Sequence, residues 1–197
     1  MNIGDKYPTF IVAEISGNHA GEIDNALKLI EVAAEAGANA VKFQAYTANS
    51  ITFKSEKSDF LIPGDSPWAS YQTLFNLYSK AETPFEWIPE LFAKAEQINI
   101  PIFASVFDLK SVELIENYKP FAYKIASAEA ADVTLLKRVS ETKKPIFISN
   151  GLLNGSEMIK SHNYLKNLGV NDVVWLKAIS AYPGPVEETN LKTLNHF

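Results

Sequence analysis

The chain has 197 residues, of which 47% are hydrophobic, so it can bury one substantial core and does not have the composition of a disordered or fibrous protein. Its net charge of −5 argues against a nucleic-acid-binding surface, and the absence of cysteine excludes disulfides, thiolate nucleophiles and cysteine-ligated zinc. The segment Met1–Phe10 lacks the pattern of a signal peptide and no apolar run is long enough to span a membrane, so we expect a cytoplasmic protein with no membrane partner.

Apolar periodicity predicts six β-strands that alternate with helices. The predicted strands are Phe10–Ser16, Ala40–Tyr46, Ile100–Phe107, Ala122–Ser127, Pro145–Asn150 and Asp172–Ser180. The predicted helices are Asp24–Ala36, Pro67–Lys80, Pro84–Gln97, Leu109–Tyr118, Asp132–Thr142 and Ser156–Leu168. A long polar insertion, Thr47–Ser66, follows the second strand, and we expect it to cover a site.

The predicted strands are almost continuously apolar, which is typical of parallel strands covered by helices on both faces and therefore of the α/β class. An open doubly wound sheet and a (β/α)₈ barrel both fit this pattern. The segment Ile15–Ala20 after the first strand carries no G-x-G-x-x-G motif, which favours the barrel. Since a TIM barrel takes about 250 residues and eight strands, we predict that residues 1–197 form one incomplete barrel domain of about six βα units.

A lysine lies inside the predicted second, fourth and sixth strands, at Lys42, Lys124 and Lys177. A buried ammonium group is unfavourable by several kcal/mol unless it has a partner or loses its charge. A single lysine of this kind often belongs to an exposed edge strand, but three of them favour an anion-binding pocket. Catalytic residues of barrels lie at the carboxyl ends of the strands, which is where polar residues cluster in this chain.

Other polar residues at these strand ends have both a functional and a structural interpretation. Glu14 could act on a substrate or simply pair with an interior lysine, and His19 could form part of a turn. Serines near helix N-termini can hold phosphate or carboxylate oxygens, but each can also be an N-cap. The serines concerned are Ser105, Ser127 and Ser149, and the acidic residues Asp108 and Glu129 lie at the same strand ends.

Lys177 also permits a different enzyme class. A desolvated lysine near another cation can have a lowered pKa and form a Schiff base with a carbonyl substrate. The sequence therefore leaves open a class I aldolase that uses Lys177.

Several motifs taken together resemble the sialic acid synthase family. They are Ala13-Glu14 with Gly17-Asn18-His19, Lys42-Phe43-Gln44, Tyr123-Lys124-Ile125-Ala126-Ser127 with Glu129, Ser149-Asn150-Gly151, and Ser180-Ala181-Tyr182-Pro183. Within this family the chain is most similar to the pseudaminic acid synthases, through Tyr46-Thr47-Ala48, Asp59-Phe60-Leu61-Ile62, Thr83-Pro84-Phe85-Glu86-Trp87 and Lys177.

The resemblance implies an enzyme that condenses phosphoenolpyruvate with an N-acetylated amino-sugar aldehyde and releases phosphate. The product would be pseudaminic acid, with sialic or legionaminic acid as alternatives. Glu14 is the candidate for proton transfer or for orienting a sugar hydroxyl, and Gln44 would also face the sugar. The remaining substrate-binding candidates are Lys42, Ser105, Lys124, Ser127, Ser149, Lys177, Ser180 and Tyr182.

Members of the family require a divalent metal, Mn or Mg, held by two histidines on later barrel strands. Neither His162 nor His196 matches those positions, so we assign no metal ligand in this chain. The family's C-terminal antifreeze-like domain, which reaches into a partner's active site, is also expected to be absent. The resemblance implies a homodimer for a longer protein, and it leaves open a truncated, non-catalytic sugar- or anion-binding protein.

Overall fold

The computed structural model describes residues 3–4, 6–181 and 184–196. Six parallel strands form one sheet in which the spatial order is the order in the chain. The strands are β1 (Val12–Glu14), β2 (Ala40–Ala45), β3 (Ile102–Val106), β4 (Tyr123–Ile125), β5 (Ile146–Ser149) and β6 (Val173–Leu176). This arrangement confirms the predicted α/β class and the incomplete barrel, because the sheet curls around a cavity and stops after six strands.

Helices connect the strands and cover the outer face of the sheet. They are α1 (Ile23–Glu35), α2 (Ala48–Ile51), α3 (Leu74–Ala81), α4 (Ile88–Gln97), α5 (Leu109–Glu116), α6 (Val133–Ser140) and α7 (Gly155–Asn167). No helix of the described residues is long and apolar enough to cross a membrane.

Strand β2 shows how alternation of side chains separates the core from the cavity. Val41, Phe43 and Ala45 are fully buried in the main core between the sheet and the helices. Lys42 and Gln44 point to the opposite, inner face. The sequence prediction for the two faces of this strand is therefore confirmed.

The inner face of the sheet is apolar at one end and polar at the other. Phe103 and Phe147 stack with ring centroids 5.2 Å apart and belong to a second, smaller apolar cluster with Ala40 and Ala122. One inner-face position further along their strands lie Ser105 and Ser149. We refer to Phe103 and Phe147 as the phenylalanine floor, above which the polar residues gather at the carboxyl ends of the strands.

Several element boundaries differ from the sequence predictions. The helix predicted from Pro67 begins instead at Leu74, because Gln72 has a positive φ of 65° and the Thr73 side chain caps the helix by accepting from the Asn76 amide at 3.2 Å. Strand β6 ends at Leu176, so Lys177 follows the strand and does not lie inside it as predicted.

Strands β1 and β6 form the two edges of the sheet. A cavity of about 840 Å³ lies between these edges and the inner face. It is bounded by Phe10 and Val12 on one side and by Val174, Leu176 and Leu194 on the other. Lys42 and Lys124 line the same cavity, which places the two lysines inside the curl of the sheet.

Asp108 has a structural role at the start of α5. Its side chain accepts a hydrogen bond from the Ser111 amide at 2.6 Å, and the Ser111 hydroxyl accepts from the Asp108 amide at 3.3 Å, which completes a capping box. The sequence placed Asp108 among the polar residues at a strand end, and the structure explains it as a helix cap.

We predict that Asp108→Ala lowers the free energy of unfolding by about 1 kcal/mol, because the first turn of α5 loses its cap. Denaturant-induced unfolding followed by circular dichroism measures this change. Lys110→Ala, on the exposed side of the same helix, is the control and should change stability by less than about 0.5 kcal/mol. Equal effects of the two substitutions would contradict the capping role.

Candidate anion-binding site

Lys42 is held on the inner face of the sheet by neighbours from two adjacent strands. Its ammonium group forms an ion pair with Glu14 of β1 and donates a hydrogen bond to the Ser105 hydroxyl of β3 at 3.2 Å. Glu14 and Lys42 are direct partners in the β1–β2 register. The sequence left open whether Glu14 pairs with an interior lysine, and the structure shows that it does.

Lys124 lies on the inner face of β4 and is more deeply buried than Lys42, with 7% of the residue exposed. Its ammonium group donates a hydrogen bond to the Ile125 carbonyl at 2.6 Å. Ser105 is the register partner of Lys124 in the adjacent strand β3. Ser105 therefore lies between the two lysines, as the anion-site hypothesis requires.

Burial and nearby charges change the pKa of both lysines. Burial, assisted by the nearby Lys124 ammonium, lowers the pKa of Lys42 to about 7. Burial also lowers the pKa of Lys124 to about 8, although the Glu129 carboxylate opposes this shift. Glu14 attracts the Lys42 proton as well, but its side chain is 39% exposed against 15% for Lys42, so solvent screens the attraction. A bound anion would favour the charged form of both lysines.

Hydroxyl groups surround Gly151, which follows the carboxyl end of β5. The Gly151 amide donates a hydrogen bond to the Ser127 hydroxyl at 3.0 Å. A Cβ atom built on Gly151 would lie 2.5 Å from the Ser180 hydroxyl and 2.8 Å from the Ser127 hydroxyl. A side chain at this position would therefore displace both serine hydroxyls. Ser149, which is buried, precedes this turn at the end of β5.

Asn150 is a positioning residue to which the sequence assigned no role. Its side chain is buried, and its carbonyl oxygen accepts a hydrogen bond from the Ala178 amide at 3.3 Å. This bond joins the end of β5 to the segment that follows β6, and that segment carries Ser180. The motif Ser149-Asn150-Gly151 was visible in the sequence, but no local pattern indicates that the asparagine reaches a segment 28 residues further along the chain.

Lys177 stands apart from the lysine pair. Lys177 donates to the Ala178 carbonyl at 2.9 Å, and it is not among the described residues that line the cavity. The structure therefore brings together two of the three lysines, and a substrate-binding role for Lys177 remains a prediction. Gln44 lies on the inner face as the register partner of Ser105, and Tyr182 lies outside the described residues.

His19 has a structural role in the turn after β1. It is 2% exposed, its Nδ1 atom accepts a hydrogen bond from the Gly21 amide at 3.1 Å, and its ring packs edge-on against Trp87. Burial lowers the pKa of His19, so the neutral ring is favoured. These contacts fix the loop between β1 and α1.

Glu129 is the acidic residue that faces Lys124. One of its carboxylate oxygens is buried without a hydrogen-bond partner among the described residues, and burial raises its pKa. A carboxyl group in this state can hold a proton close to the lysine pair.

No group of three or more His, Cys, Asp or Glu residues within the described ranges is arranged to hold a metal ion. The residues that the structure describes thus do not fit the divalent metal that the family resemblance implies.

Comparison with known proteins agrees with this geometry. Residues 29–197 match the NeuB family model. The chain is 40% identical over 191 residues to a pseudaminic acid synthase of Campylobacter jejuni, which covers 97% of the chain and 55% of the relative. It is 33% identical over 189 residues to the N,N'-diacetyllegionaminic acid synthase of the same species, with 94% of the chain and 56% of the relative covered.

The fold is also that of a solved relative. A crystal structure of N-acetylneuraminic acid synthetase from Leptospira borgpetersenii, in complex with citrate, superimposes with a TM-score of 0.85 at 27% identity. The match covers 98% of this chain and 62% of that one. The chain thus spans about half the length of the curated relatives it matches. Because the family model matches the chain from residue 29 to its last residue, the chain belongs to the NeuB family.

Proposed function

We propose that this chain is the phosphoenolpyruvate-binding part of a nonulosonic acid synthase and that pseudaminic acid is the product. The observation that carries the proposal is the convergence of Lys42 and Lys124 on one cavity, with Ser105 between them. Phosphoenolpyruvate carries a phosphate and a carboxylate on three carbons, so it needs two cationic groups close together. The greater identity to the pseudaminic acid synthase than to the legionaminic acid synthase of the same species supports the choice of sugar.

In the proposed reaction C3 of phosphoenolpyruvate attacks the aldehyde carbon of the amino sugar, and a C–C bond forms. Water adds to C2, the C–O bond of the enol phosphate breaks, and phosphate leaves with that oxygen. The products are a 2-oxo acid and inorganic phosphate. The residues of this chain would hold the two anionic groups and stabilise the charge on the departing phosphate.

Each part of the site has a role in this proposal. Lys42 and Lys124 would bind the two acidic groups as charged donors. The hydroxyls around Gly151, from Ser127 and Ser180, would bind phosphate oxygens. Glu14 would transfer a proton or orient a sugar hydroxyl, since it reaches the Lys42 ammonium from the more exposed side.

A second candidate is a protein that binds the anion without turning it over. The same observation supports it, because Lys42 and Lys124 would bind an anion in the cavity whether or not a reaction follows. Phosphate release measured with phosphoenolpyruvate and an amino-sugar aldehyde, with and without Mn²⁺, separates the two candidates. Binding without release would favour the second.

We predict that Lys42→Met and Lys124→Met each weaken phosphoenolpyruvate binding by at least about 30-fold, because each removes a buried charged donor. Methionine fills a similar volume and needs no hydration, so the melting temperature should stay the same or rise. Isothermal titration calorimetry and thermal unfolding measure the two effects.

Lys160→Met is the matched control, because it removes an exposed lysine of α7 and the same charge. It should leave phosphoenolpyruvate affinity within about twofold, as distant surface charges are screened by salt. Unchanged affinity in the two buried-lysine variants would refute the proposed function.

We predict that anion binding weakens as the pH rises from 7 to 9. The pKa of Lys42 is about 7 and that of Lys124 about 8 in the free protein, and a bound anion raises both. Binding is therefore strongest below pH 7, takes up protons at pH 7–8, and is lost as both lysines become neutral. Titration with sulfate, whose charge is constant in this range, in buffers of different ionisation enthalpy tests the proton uptake. A constant affinity from pH 7 to pH 9 would contradict the prediction.

We predict that Gly151→Ala abolishes detectable phosphoenolpyruvate binding and lowers stability by about 1–3 kcal/mol, since the new methyl group displaces both serine hydroxyls. Gly155→Ala is the matched control. Gly155 is the first residue of α7 and has no atom within 4 Å of an added Cβ, so alanine there should raise stability by about 0.5 kcal/mol and leave binding intact. Thermal unfolding with and without phosphoenolpyruvate compares the two variants. The same response in both would contradict the requirement for glycine at position 151.

A further inference from the structure

We infer that Lys42 is a reactive amine that forms an imine with small 2-oxo acids such as pyruvate, so that the pocket has a covalent carbonyl-binding activity. This activity would use the pocket of the proposed function but not its reaction. It also assigns Schiff-base chemistry to a different lysine from the one that the sequence indicated.

The first support is the set of groups that touch Lys42. Imine formation needs a neutral amine, a group that accepts and returns a proton, and a hydroxyl that steadies the intermediate. Lys42 contacts the Glu14 carboxylate and donates to the Ser105 hydroxyl at 3.2 Å. Both partners come from rigid neighbouring strands, so the amine is held in one place.

The second support is the position of Lys124. A 2-oxo acid has its carboxylate directly next to its carbonyl carbon, so it needs one cation beside the attacking amine. Lys124 lines the same cavity and acts electrostatically on Lys42. Burial lowers the pKa of both lysines, and Glu129 opposes the shift only at Lys124, so Lys42 is the lysine that loses its proton first as the pH rises.

Access to the amine is provided by the open curl of the sheet. The cavity of about 840 Å³ that Lys42 lines is far larger than a three-carbon acid. Lys177 has a different setting, because its ammonium group donates to the Ala178 carbonyl at 2.9 Å and it is not among the described residues that line the cavity.

The step balances without an added oxidant or reductant. The neutral Lys42 nitrogen forms a bond to C2 of the 2-oxo acid as the C–O π bond breaks, and Glu14 passes one of the two nitrogen protons to that oxygen, which gives a carbinolamine. Glu14 then passes the second nitrogen proton to the hydroxyl group, the C–O bond breaks, and water leaves as the C=N bond forms. One molecule of water is released for each imine formed.

Reductive trapping tests the inference on the chain as it exists. The protein is incubated with pyruvate and sodium cyanoborohydride at pH 7.5, and the reduced adduct is located by peptide mass spectrometry. We expect modification of Lys42 to be on the order of a hundredfold faster than that of the exposed lysines Lys57 and Lys110, because a lower pKa leaves more amine uncharged. The rate should saturate with pyruvate, whereas surface lysines should react in proportion to its concentration.

Methyl pyruvate separates carboxylate recognition from simple amine reactivity. It has the same carbonyl group but no negative charge, so its reaction at Lys42 should lose the saturation and most of the rate advantage. Lys124→Met should have the same effect with pyruvate, and circular dichroism checks that this variant is folded.

Modification of Lys177 ahead of Lys42, or reaction of Lys42 no faster than Lys57, would overturn the inference. Phosphoenolpyruvate binding measured on the same sample keeps the two proposals distinct. A protein that binds phosphoenolpyruvate but forms no Lys42 adduct refutes only this inference. An adduct without phosphoenolpyruvate binding refutes only the proposed function.

Discussion

Two ammonium groups are kept largely out of water on one face of a curled sheet, and the proposed function depends on them. Lowering the pKa of Lys42 from 10.5 to about 7 corresponds to a penalty on the order of 5 kcal/mol against its charged form. The lysines stay in place despite this penalty because they belong to β2 and β4, and the outer faces of these strands pack in the main core. The pocket therefore favours any ligand that brings negative charge, and this preference is present before the ligand arrives.

The surrounding residues modulate this interaction rather than cancel it. Glu14 forms an ion pair with Lys42 from the more exposed side only. Glu129 opposes the pKa shift of Lys124 without removing it. A fully neutralised pair would have no capacity left for a substrate. An unopposed pair would lose its protons near neutral pH and could not bind an anion. The observed arrangement lies between these limits, which is consistent with a site for a small, doubly acidic molecule.

The sequence predicted the parts of the structure that depend on short-range patterns. The alternation of Val41, Lys42 and Phe43 defines the two faces of β2, and this pattern is sufficient because the side-chain period of a strand is two. The end of β6 before Lys177 and the start of α3 at Leu74 were not predicted. The first depends on where pairing with β5 stops, and the second on the backbone at Gln72, which is a residue without a strong preference for positive φ.

Contacts between distant segments could also not be predicted from the sequence. The close approach of Gly151 to Ser127 and Ser180 results from the order of β4, β5 and β6 around the curl, as does the bond from Asn150 to Ala178. Motifs that contain these residues could be recognised, but a motif does not state which of its members touches which partner.

The position of the two lysines opposite the phenylalanine floor has a consequence for strand pairing during folding. In the native register Lys42 stands opposite Phe103 and Lys124 opposite Phe147, with both of these lysines on the inner side of the sheet. A slip of β2 by one residue would turn Lys42 toward α1 and α4, into a dry layer of aliphatic side chains, and would move Phe43 into the hollow. The two lysines thus disfavour misaligned pairing of the strands. Residues of the candidate site therefore help to select the native register in the absence of a ligand.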